Sequence, residues 1–217
     1  MLELRKNRGD KMRSHFILAF LAMAIVVAAS NYLVQFPLQA KISSIDLSQI
    51  LTWGAFTYPI AFLVTDLTNR RFGAKKARQV VLLGFAIAVV WSIFLASPRI
   101  AIASGSAFLI AQFLDISIFN WVRSNIWWRA PLISSFIGSI IDTFLFFGLA
   151  FAAQFAFLDL MFGKEDASLP FATPLLSVGM EVPLWVSLGA GDFMVKVLVA
   201  LLLLIPYRIF RDRGNEA

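Results

Sequence analysis

Six long apolar runs dominate the sequence and limit what it can fold into. A helix needs about 20 mostly apolar residues to cross the roughly 30 Å hydrocarbon core of a bilayer. The sequence therefore predicts an all-α membrane protein, in which residues 1–217 form a single bundle of six transmembrane helices. The predicted spans cover about residues 16–36, 48–68, 77–97, 101–121, 130–158 and 183–207.

The composition excludes an ordinary soluble domain. Hydrophobic residues make up 59% of the chain and charged residues 15%, whereas soluble domains are about 45–50% apolar and about 25% charged. The absence of cysteine excludes disulfides, thiolate metal sites and cysteine nucleophiles. The single histidine, His15, excludes a zinc site built from several histidines. We therefore expect neither a metal nor a cofactor.

The basic residues are distributed unevenly about the predicted spans. Fifteen of the 19 Lys and Arg residues lie in the N-terminal tail, after the second span, between the fourth and fifth spans, or after the sixth. An excess of Lys and Arg marks the cytoplasmic loops of membrane proteins. The placement of the basic residues, which give the chain its net charge of +6, therefore predicts a protein that contacts the lipid bilayer with both termini in the cytoplasm. It does not indicate a nucleic-acid partner.

Polar side chains recur inside the predicted spans, where a charged residue costs about 2.5–3.5 kcal/mol on insertion scales. In the fourth, fifth and sixth spans they are spaced by three or four residues and so share one helical face. Turned inward, these faces would build a polar pocket surrounded by aromatic rings. The stripes include Asn31; Trp53, Tyr58 and Asp66; Gln112, Asp115 and Phe119; Ser135, Ser139 and Asp142; and Asp192 and Lys196.

Several of these residues also have purely structural interpretations. Asp192 and Lys196, at i and i+4, could only neutralise each other, and Asp66 could anchor the basic loop that follows it. Ser139 could serve close helix packing, and Asn31 could bond between helices. Asp115 and Asp142 have no basic residue within pairing distance on their own helices, which makes them the strongest ligand candidates.

One short motif suggests a different activity. Gly189-Ala190-Gly191-Asp192 matches the Gly-x-Gly-Asp string of intramembrane aspartyl proteases, and Asp115 or Asp142 could supply a second carboxylate. The tyrosine-aspartate motif expected of such enzymes is absent, however, and Lys196 would pair with Asp192. The sequence therefore favours a protein that is not an enzyme.

A longer series of short motifs runs along the chain from about residue 30 to 200. The motifs are Ser30-Asn31-Tyr32-Leu33-Val34-Gln35, Thr52-Trp53-Gly54-Ala55-Phe56 with Tyr58-Pro59, Thr65-Asp66-Leu67-Thr68 through Arg71-Phe72-Gly73, Gln112 with Leu114-Asp115 and Phe119-Asn120, Trp127-Trp128 with Ala130-Pro131, Gly138 with Asp142-Thr143, and Asp192 with Lys196. In this order they resemble the queuosine precursor transporters, also called the vitamin uptake transporter family. One departure is Gly138-Ser139, where the family pattern has Gly-Asn.

This resemblance implies a multi-pass importer in the bacterial inner (cytoplasmic) membrane. Its substrates would be 7-deazaguanine bases, the cyano and aminomethyl precursors of queuosine. It also implies a six-helix architecture similar to the substrate-binding subunits of energy-coupling-factor vitamin transporters. Alternating access would carry the base across the membrane. The alternative is a binding subunit that needs a separate ATPase module, and either protein could form a homodimer.

The polar residues suit such a purine-like ligand. A carboxylate accepts two adjacent N–H donors in strong, charge-assisted bonds, and Asp115 or Asp142 could supply it. Gln112 or Asn31 could meet the carbonyl edge of the base, and Lys196 would balance the carboxylates. Ser139 could still donate a hydrogen bond through its hydroxyl. Aromatic side chains that could stack on the ring are Trp53, Phe56, Tyr58 and Phe119.

Overall fold

The structure is a computed structural model that describes residues 2–33, 36–42, 45–47, 51–124, 126–177 and 179–215. Most of these residues are helical, as the sequence predicts. The helices, in chain order, are α1 (Leu2–Leu33), α2 (Gly54–Thr57), α3 (Ile60–Phe72), α4 (Ala74–Leu95), α5 (Pro98–Val122), α6 (Arg129–Phe151), α7 (Phe157–Met161) and α8 (Leu184–Asn215).

The prediction of an all-α protein is incomplete, because two small hairpins join the helices. Strand β1 (Lys41–Ile42) pairs with β2 (Ile45–Asp46) between α1 and α2. Strand β3 (Ala172–Pro174) pairs with β4 (Glu181–Pro183) before α8, and a 3₁₀ turn, Leu175–Ser177, connects them. Both hairpins are antiparallel and short. They lie in connections between helices and leave the core helical.

Four helices within the described residues are long and apolar enough to cross a membrane: Met12–Leu33, Pro98–Val122, Arg129–Phe151 and Leu184–Asp212. Large apolar side chains also face outward, as Phe94 at 79% exposure and Trp121 at 86% illustrate. Exposed apolar surface on this scale suits lipid rather than water. The chain is therefore a multi-pass, helical membrane protein, and the count of six spans stays a prediction.

The second predicted span, 48–68, is not one continuous helix. Residues 48–50 lie outside the described residues, α2 ends at Thr57, and α3 begins only at Ile60. Pro59 occupies the junction, and a proline ring has no N–H to donate to the preceding turn. The break places Tyr58 at a bend between two helices. The helical segment then continues beyond the predicted end, to Phe72.

The fifth predicted span, 130–158, ends earlier than expected. Helix α6 stops at Phe151, and a 3₁₀ turn and α7 follow as separate elements. The cause is Arg99, a fully buried residue in the first turn of α5. Its guanidinium donates to the carbonyls of Leu149 at 2.8 Å and Ala152 at 2.6 Å, and so satisfies carbonyls that the end of the helix leaves free.

The same guanidinium holds the loop after α7. Arg99 Nη1 lies 2.7 Å from Asp159 Oδ2, where both side chains are buried, and 3.4 Å from the half-exposed Asp166. It also donates to the Ser168 hydroxyl at 3.0 Å. Hydrogen bonds from Ser168, with a further contribution from Arg99, hold the pKa of the Asp166 carboxyl below its usual value. Arg99 is therefore a buried anchor for the segment that follows α6.

Close helix contacts depend on glycine at two crossings. A Cβ on Gly138 of α6 would lie 2.8 Å from Phe62 of α3, and one on Gly84 of α4 would lie 2.9 Å from Met23 of α1. Small residues let membrane helices approach in this way. The main apolar cluster lies among α1, α3, α4 and α5, and includes Met23, Val81 and Phe108.

Basic residues from separate connections meet at one end of the bundle. Arg123, after α5, donates to the backbone carbonyl of Arg70 near the end of α3, at 3.3 Å. Arg208 of α8 lies 5.3 Å from the centre of the Trp127 ring, just before α6. This clustering accords with the uneven charge distribution of the sequence. The assignment of this end to the cytoplasm stays a prediction.

The Arg99 anchor predicts unequal effects of two similar substitutions. Asp159→Asn leaves the buried guanidinium without its close carboxylate, and we expect the free energy of unfolding to fall by about 3–5 kcal/mol. Asp166→Asn, at a half-exposed and more distant partner, should have a much smaller effect, because solvent screens this ion pair. Unfolding in detergent, followed by circular dichroism, measures both. Equal losses would show that Asp159 is not the dominant partner.

Candidate functional site

A cavity of about 500 Å³ opens within the bundle. Helices α1, α2, α4, α5, α6 and α8 all contribute to its wall. Ligand pockets are typically about 300–1,000 Å³ and mostly apolar, with a few polar groups that fix the ligand. This cavity follows that pattern, because Phe146, Phe147 and Phe151 of α6 line it beside a small group of charged residues.

The charged group centres on Lys196 of α8. Its ammonium lies 2.7 Å from Asp142 Oδ2 on α6 and 2.5 Å from Asp192 Oδ2, one turn earlier on α8. Lys196 and Asp142 are almost fully buried, and the Asp192 side chain is 13% exposed. We call these three residues the ion triad. Two carboxylates share one ammonium, so the triad carries a formal charge of −1.

Two hydroxyl groups complete the triad. The Tyr58 hydroxyl, from the bend before α3, donates to Asp142 Oδ1 at 3.1 Å. The Thr143 hydroxyl accepts from Lys196 at 3.2 Å and donates to Asp192 Oδ2 at 2.9 Å. The Lys196 ammonium also lies 5.4 Å from the centre of the Tyr58 ring, within cation–π range. Each oxygen of Asp142 therefore already accepts one hydrogen bond.

Two polar groups on the cavity wall keep bonding capacity for a ligand. Among the described residues, no hydrogen-bond donor reaches Asp192 Oδ1, although Oδ2 has two. The buried Ser30 hydroxyl also lines the cavity and has no partner within the same residues. A buried polar group without a partner is costly. A ligand that donates to Asp192 and bonds to Ser30 would remove that cost.

The structure brings five of the predicted site residues together and leaves six elsewhere. Asn31, Tyr58, Asp142, Asp192 and Lys196 line the cavity. The Asn31 amide donates to the Val27 carbonyl at 2.9 Å, one turn earlier on its own helix. The residues outside the cavity lining are Trp53, Phe56, Gln112, Asp115, Phe119 and Ser139.

Gln112 and Asp115 lie in a separate buried region. Gln112 Oε1 accepts from the Thr65 hydroxyl at 2.6 Å, while its Nε2 has no partner among the described residues. Asp115 is fully buried and adjoins the Asp66 carboxyl. From these positions neither Gln112 nor Asp115 reaches the cavity wall. Their direct contact with a ligand stays a prediction.

The remaining four residues pack in other places. Trp53 is half-exposed, and its ring centre lies 5.9 Å from that of Phe56, which packs in a small apolar cluster with Val195. Phe119 is fully buried beside Tyr207. Ser139 is buried at a small void near Asp66. Aromatic stacking by Trp53, Phe56 and Phe119 stays a prediction. Gln35 lies outside the described residues.

Sequence reasoning missed the contribution of α4 and of small polar residues. Trp91 and Ser92 of α4 and Ser104 of α5 line the cavity. No charged residue marks this part of α4, and isolated serines in apolar runs are easily assigned to helix packing. Of the three phenylalanines in the wall, only Phe146 lies one turn after Asp142, in line with the polar stripe of the fifth predicted span. No group of three metal-binding side chains occurs within the described residues.

Comparison with known sequences identifies the family of this chain. The family described as "Putative vitamin uptake transporter" matches residues 52–96 and 90–210. The chain is 32% identical to the "Probable queuosine precursor transporter" of Haemophilus influenzae, over 92% of this chain and 87% of that protein. It is 31% identical to the "Queuosine precursor transporter" of Escherichia coli, over 84% of this chain and 79% of that protein. The chain belongs to this transporter family.

The family resemblance inferred from the short motifs is therefore confirmed. A Bacillus subtilis "Probable queuosine precursor transporter" is 27% identical over 46% of this chain and 56% of that protein. No solved structure matches the chain. In this family member the ion triad joins three of the matched motifs, at Tyr58, at Asp142-Thr143 and at Asp192 with Lys196. The motifs are distant in sequence but adjacent in space.

The triad predicts that Lys196 stabilises the bundle. Lys196→Met leaves two carboxylates in an apolar interior with no cation, and we expect the free energy of unfolding to fall by about 3–5 kcal/mol. Asp192→Asn should cost less, because Asp142 keeps its ammonium partner and position 192 is the more exposed. Thermal unfolding in detergent compares the two. A Lys196→Met protein as stable as Asp192→Asn would contradict this account.

Proposed function

We propose that this chain imports queuosine precursors, the 7-deazaguanine bases in cyano or aminomethyl form, across the bacterial inner membrane by alternating access. The observation that carries the proposal is the cavity with the ion triad in its wall, within a member of this transporter family. Charged groups inside membrane proteins commonly mark substrate pathways. The relatives from H. influenzae and E. coli are named "Probable queuosine precursor transporter" and "Queuosine precursor transporter", respectively.

The donor edge of the base fits Asp192. A guanine-like ring presents adjacent N–H donors, and a carboxylate accepts such donors in charge-assisted bonds. Asp192 Oδ1 has bonding capacity, whereas both Asp142 oxygens already accept from Tyr58 and Lys196. Asp142 then holds the ammonium in place and thereby orients Asp192. The Ser30 hydroxyl and the Asn31 side chain can meet the carbonyl edge from α1.

The apolar wall fits the flat faces of the ring. Phe146 and Phe147 pack edge-to-face, with ring centres 5.1 Å apart, and Tyr58 contributes a third aromatic side chain. Stacking of a base on an aromatic side chain is worth about 1–3 kcal/mol in soluble binders. Together with the charged edge, this wall would favour a bicyclic heteroaromatic ligand over an aliphatic one.

The charge of the triad favours the aminomethyl base. The aminomethyl group is a primary amine that carries a positive charge at neutral pH, whereas the cyano group is neutral. A cavity with a formal charge of −1 attracts the cation more strongly, and a low-dielectric wall strengthens the attraction. We therefore propose that both bases enter and that the aminomethyl form binds more tightly.

The arrangement in the membrane extends the same proposal. We propose six crossings, with the bent α2–α3 unit as the second and α4 as the third, and with both termini in the cytoplasm. This arrangement would resemble the substrate-binding subunits of energy-coupling-factor transporters, and the carrier could act as a homodimer. The Lys196 ammonium lies between the Asp142 and Asp192 carboxylates, which opposes the shared proton that an aspartyl protease needs.

Ligand binding tests the proposal directly. Titration calorimetry of the purified protein should show that the aminomethyl base binds more tightly than the cyano base. Asp192→Asn should lower the affinity for the aminomethyl base about 10-fold to 100-fold, because a charge-assisted hydrogen bond of about 1.5–3 kcal/mol is lost. Asp142→Asn should also weaken binding, because the Lys196 ammonium loses the carboxylate that holds it in place and no longer orients Asp192.

The matched control is Asp212→Asn, which changes a carboxylate that pairs with Arg211 away from the cavity. Its affinity should equal that of the unaltered protein. Wild-type affinity in both Asp142→Asn and Asp192→Asn would refute the role of the triad. Binding without movement of the base by purified protein in liposomes would instead indicate a binding subunit that needs an ATPase partner.

A further inference from the structure

A second buried polar site lies apart from the cavity, where α3, α5 and α6 meet. Asp66 of α3 is 1% exposed and Asp115 of α5 is fully buried. Thr65 donates to Gln112 at 2.6 Å and Asn69 donates to the Ile116 carbonyl at 3.3 Å, so the turns of α3 and α5 that carry Asp66 and Asp115 lie against each other. The only hydroxyls that reach Asp66 among the described residues are those of Ser134 and Ser135, both at 3.5 Å. This carboxyl pair has no function in the binding site described above.

Two further observations indicate that the carboxyl pair is a binding site for a small species. Asp115 Oδ1 and Oδ2 have no hydrogen-bond donor among the described residues. Tyr207 of α8 is fully buried, its hydroxyl is also without a partner, and it lines a void of about 20 Å³ with Asp66, Ser135 and Ser139. A space of that size suits a single water molecule or a small cation.

The charges around the pair do not neutralise it. No described basic side chain forms an ion pair with Asp66 or Asp115. The titratable and charged groups nearby are Tyr207 and, around its hydroxyl, Arg70, Arg123 and Arg211. Arg211 pairs with Asp212, and Arg123 donates to a backbone carbonyl. Two adjacent carboxylates without a cation repel each other and cannot both stay ionised in a buried site.

We propose that Asp66 and Asp115 form a proton-binding site that couples import to the proton gradient. A proton from water adds to one carboxylate oxygen and forms a carboxylic acid, whose O–H donates to the other carboxylate. Its departure restores two carboxylates, and no other bond forms or breaks. The pair lies at the end of the bundle where Arg70 and Arg123 cluster, which the sequence assigns to the cytoplasm.

Helix α6 connects the two sites. Ser135 contacts Asp66, and Asp142 follows it by seven residues on the same helix, about 10 Å along the axis at 1.5 Å per residue. When the proton leaves, repulsion between the carboxylates pushes α3 from α5 at the basic end. That movement opens the cavity toward the cytoplasm. The proton thus stabilises the closed packing of this end, and its release accompanies release of the base.

The test uses purified full-length protein in liposomes and rests on the proposed function for its substrate. The probe is the radiolabelled cyano base, whose neutrality keeps its own distribution independent of the gradient. With an interior more alkaline by one pH unit, accumulation should approach about tenfold for one proton per base. Without a gradient the base should only equilibrate. Exchange of internal for external base measures transport without coupling.

Asp66→Asn should retain exchange at a lower rate, because a single carboxylate no longer pushes α3 from α5, and it should lose the gradient-driven accumulation. Asp115→Asn provides a second variant if the first fails to fold, and Glu165→Gln, at an exposed carboxylate in the loop after α7, should behave as the unaltered protein. The inference is overturned if the unaltered protein exchanges base but ignores the pH gradient, if Asp66→Asn still accumulates it, or if a sodium gradient is required instead.

Failure of the proposed function would look different, because the unaltered protein would then neither bind nor exchange the base. Infrared spectroscopy tests the proton site without any substrate. The unaltered protein should show a carboxylic acid C=O band that titrates with pH and is missing in Asp66→Asn/Asp115→Asn. A band of equal intensity in that double variant would overturn the assignment.

Discussion

The ammonium of Lys196, between Asp142 and Asp192, is the interaction on which the site depends. Three charged groups within lipid-spanning helices would be costly if separated, and their mutual contacts offset that cost. The triad also fixes α8 against α6, and Tyr58 attaches the bend between α2 and α3 to the same carboxylate. The cavity wall is therefore shaped largely by how these charges are satisfied.

The two ends of the bundle are held by different means. At one end, buried Arg99 ends α6 and anchors the loop that contains Asp159. At the other, arginines from several connections cluster near the Asp66–Asp115 pair. The cavity lies between a firmly bonded end and an end whose packing depends on one shared proton. Such asymmetry suits a carrier, because the end with the weaker closure can open while the opposite end stays shut.

The sequence predicts much of this arrangement, for physical reasons that are local. Hydropathy identifies the long helices, and the cost of intramembrane charge identifies Asp142, Asp192 and Lys196. The pairing of Asp142 on α6 with Lys196 on α8 is not visible in either helix alone, because no basic residue lies within pairing distance of Asp142 on its own helix. Asp115 has the same local signature, yet it meets Asp66 instead of the cavity, because helix rotation is set by packing at positions such as Gly138.

The elements that the sequence mispredicts are those decided by single tertiary contacts. The apolar run continues past Phe151, but the Arg99 guanidinium donates hydrogen bonds to the carbonyls of Leu149 and Ala152, and the helix ends there. The second apolar run is likewise interrupted by Pro59, whose effect on the cavity depends on where Tyr58 then points. Ser30, Ser92 and Ser104 acquire their importance only from the wall that they share, because an isolated serine in an apolar helix carries no such signal.

The central claim is that the base occupies the cavity beside the ion triad. Because the chain contains no cysteine, a single Ser104→Cys substitution places one thiol on the cavity wall, and Lys164→Cys places one in the exposed loop after α7. Reaction of the cavity thiol with a water-soluble maleimide should slow as the aminomethyl base saturates its site, while labelling at position 164 should not change. Undiminished labelling at position 104 by protein that has bound the base would contradict the account.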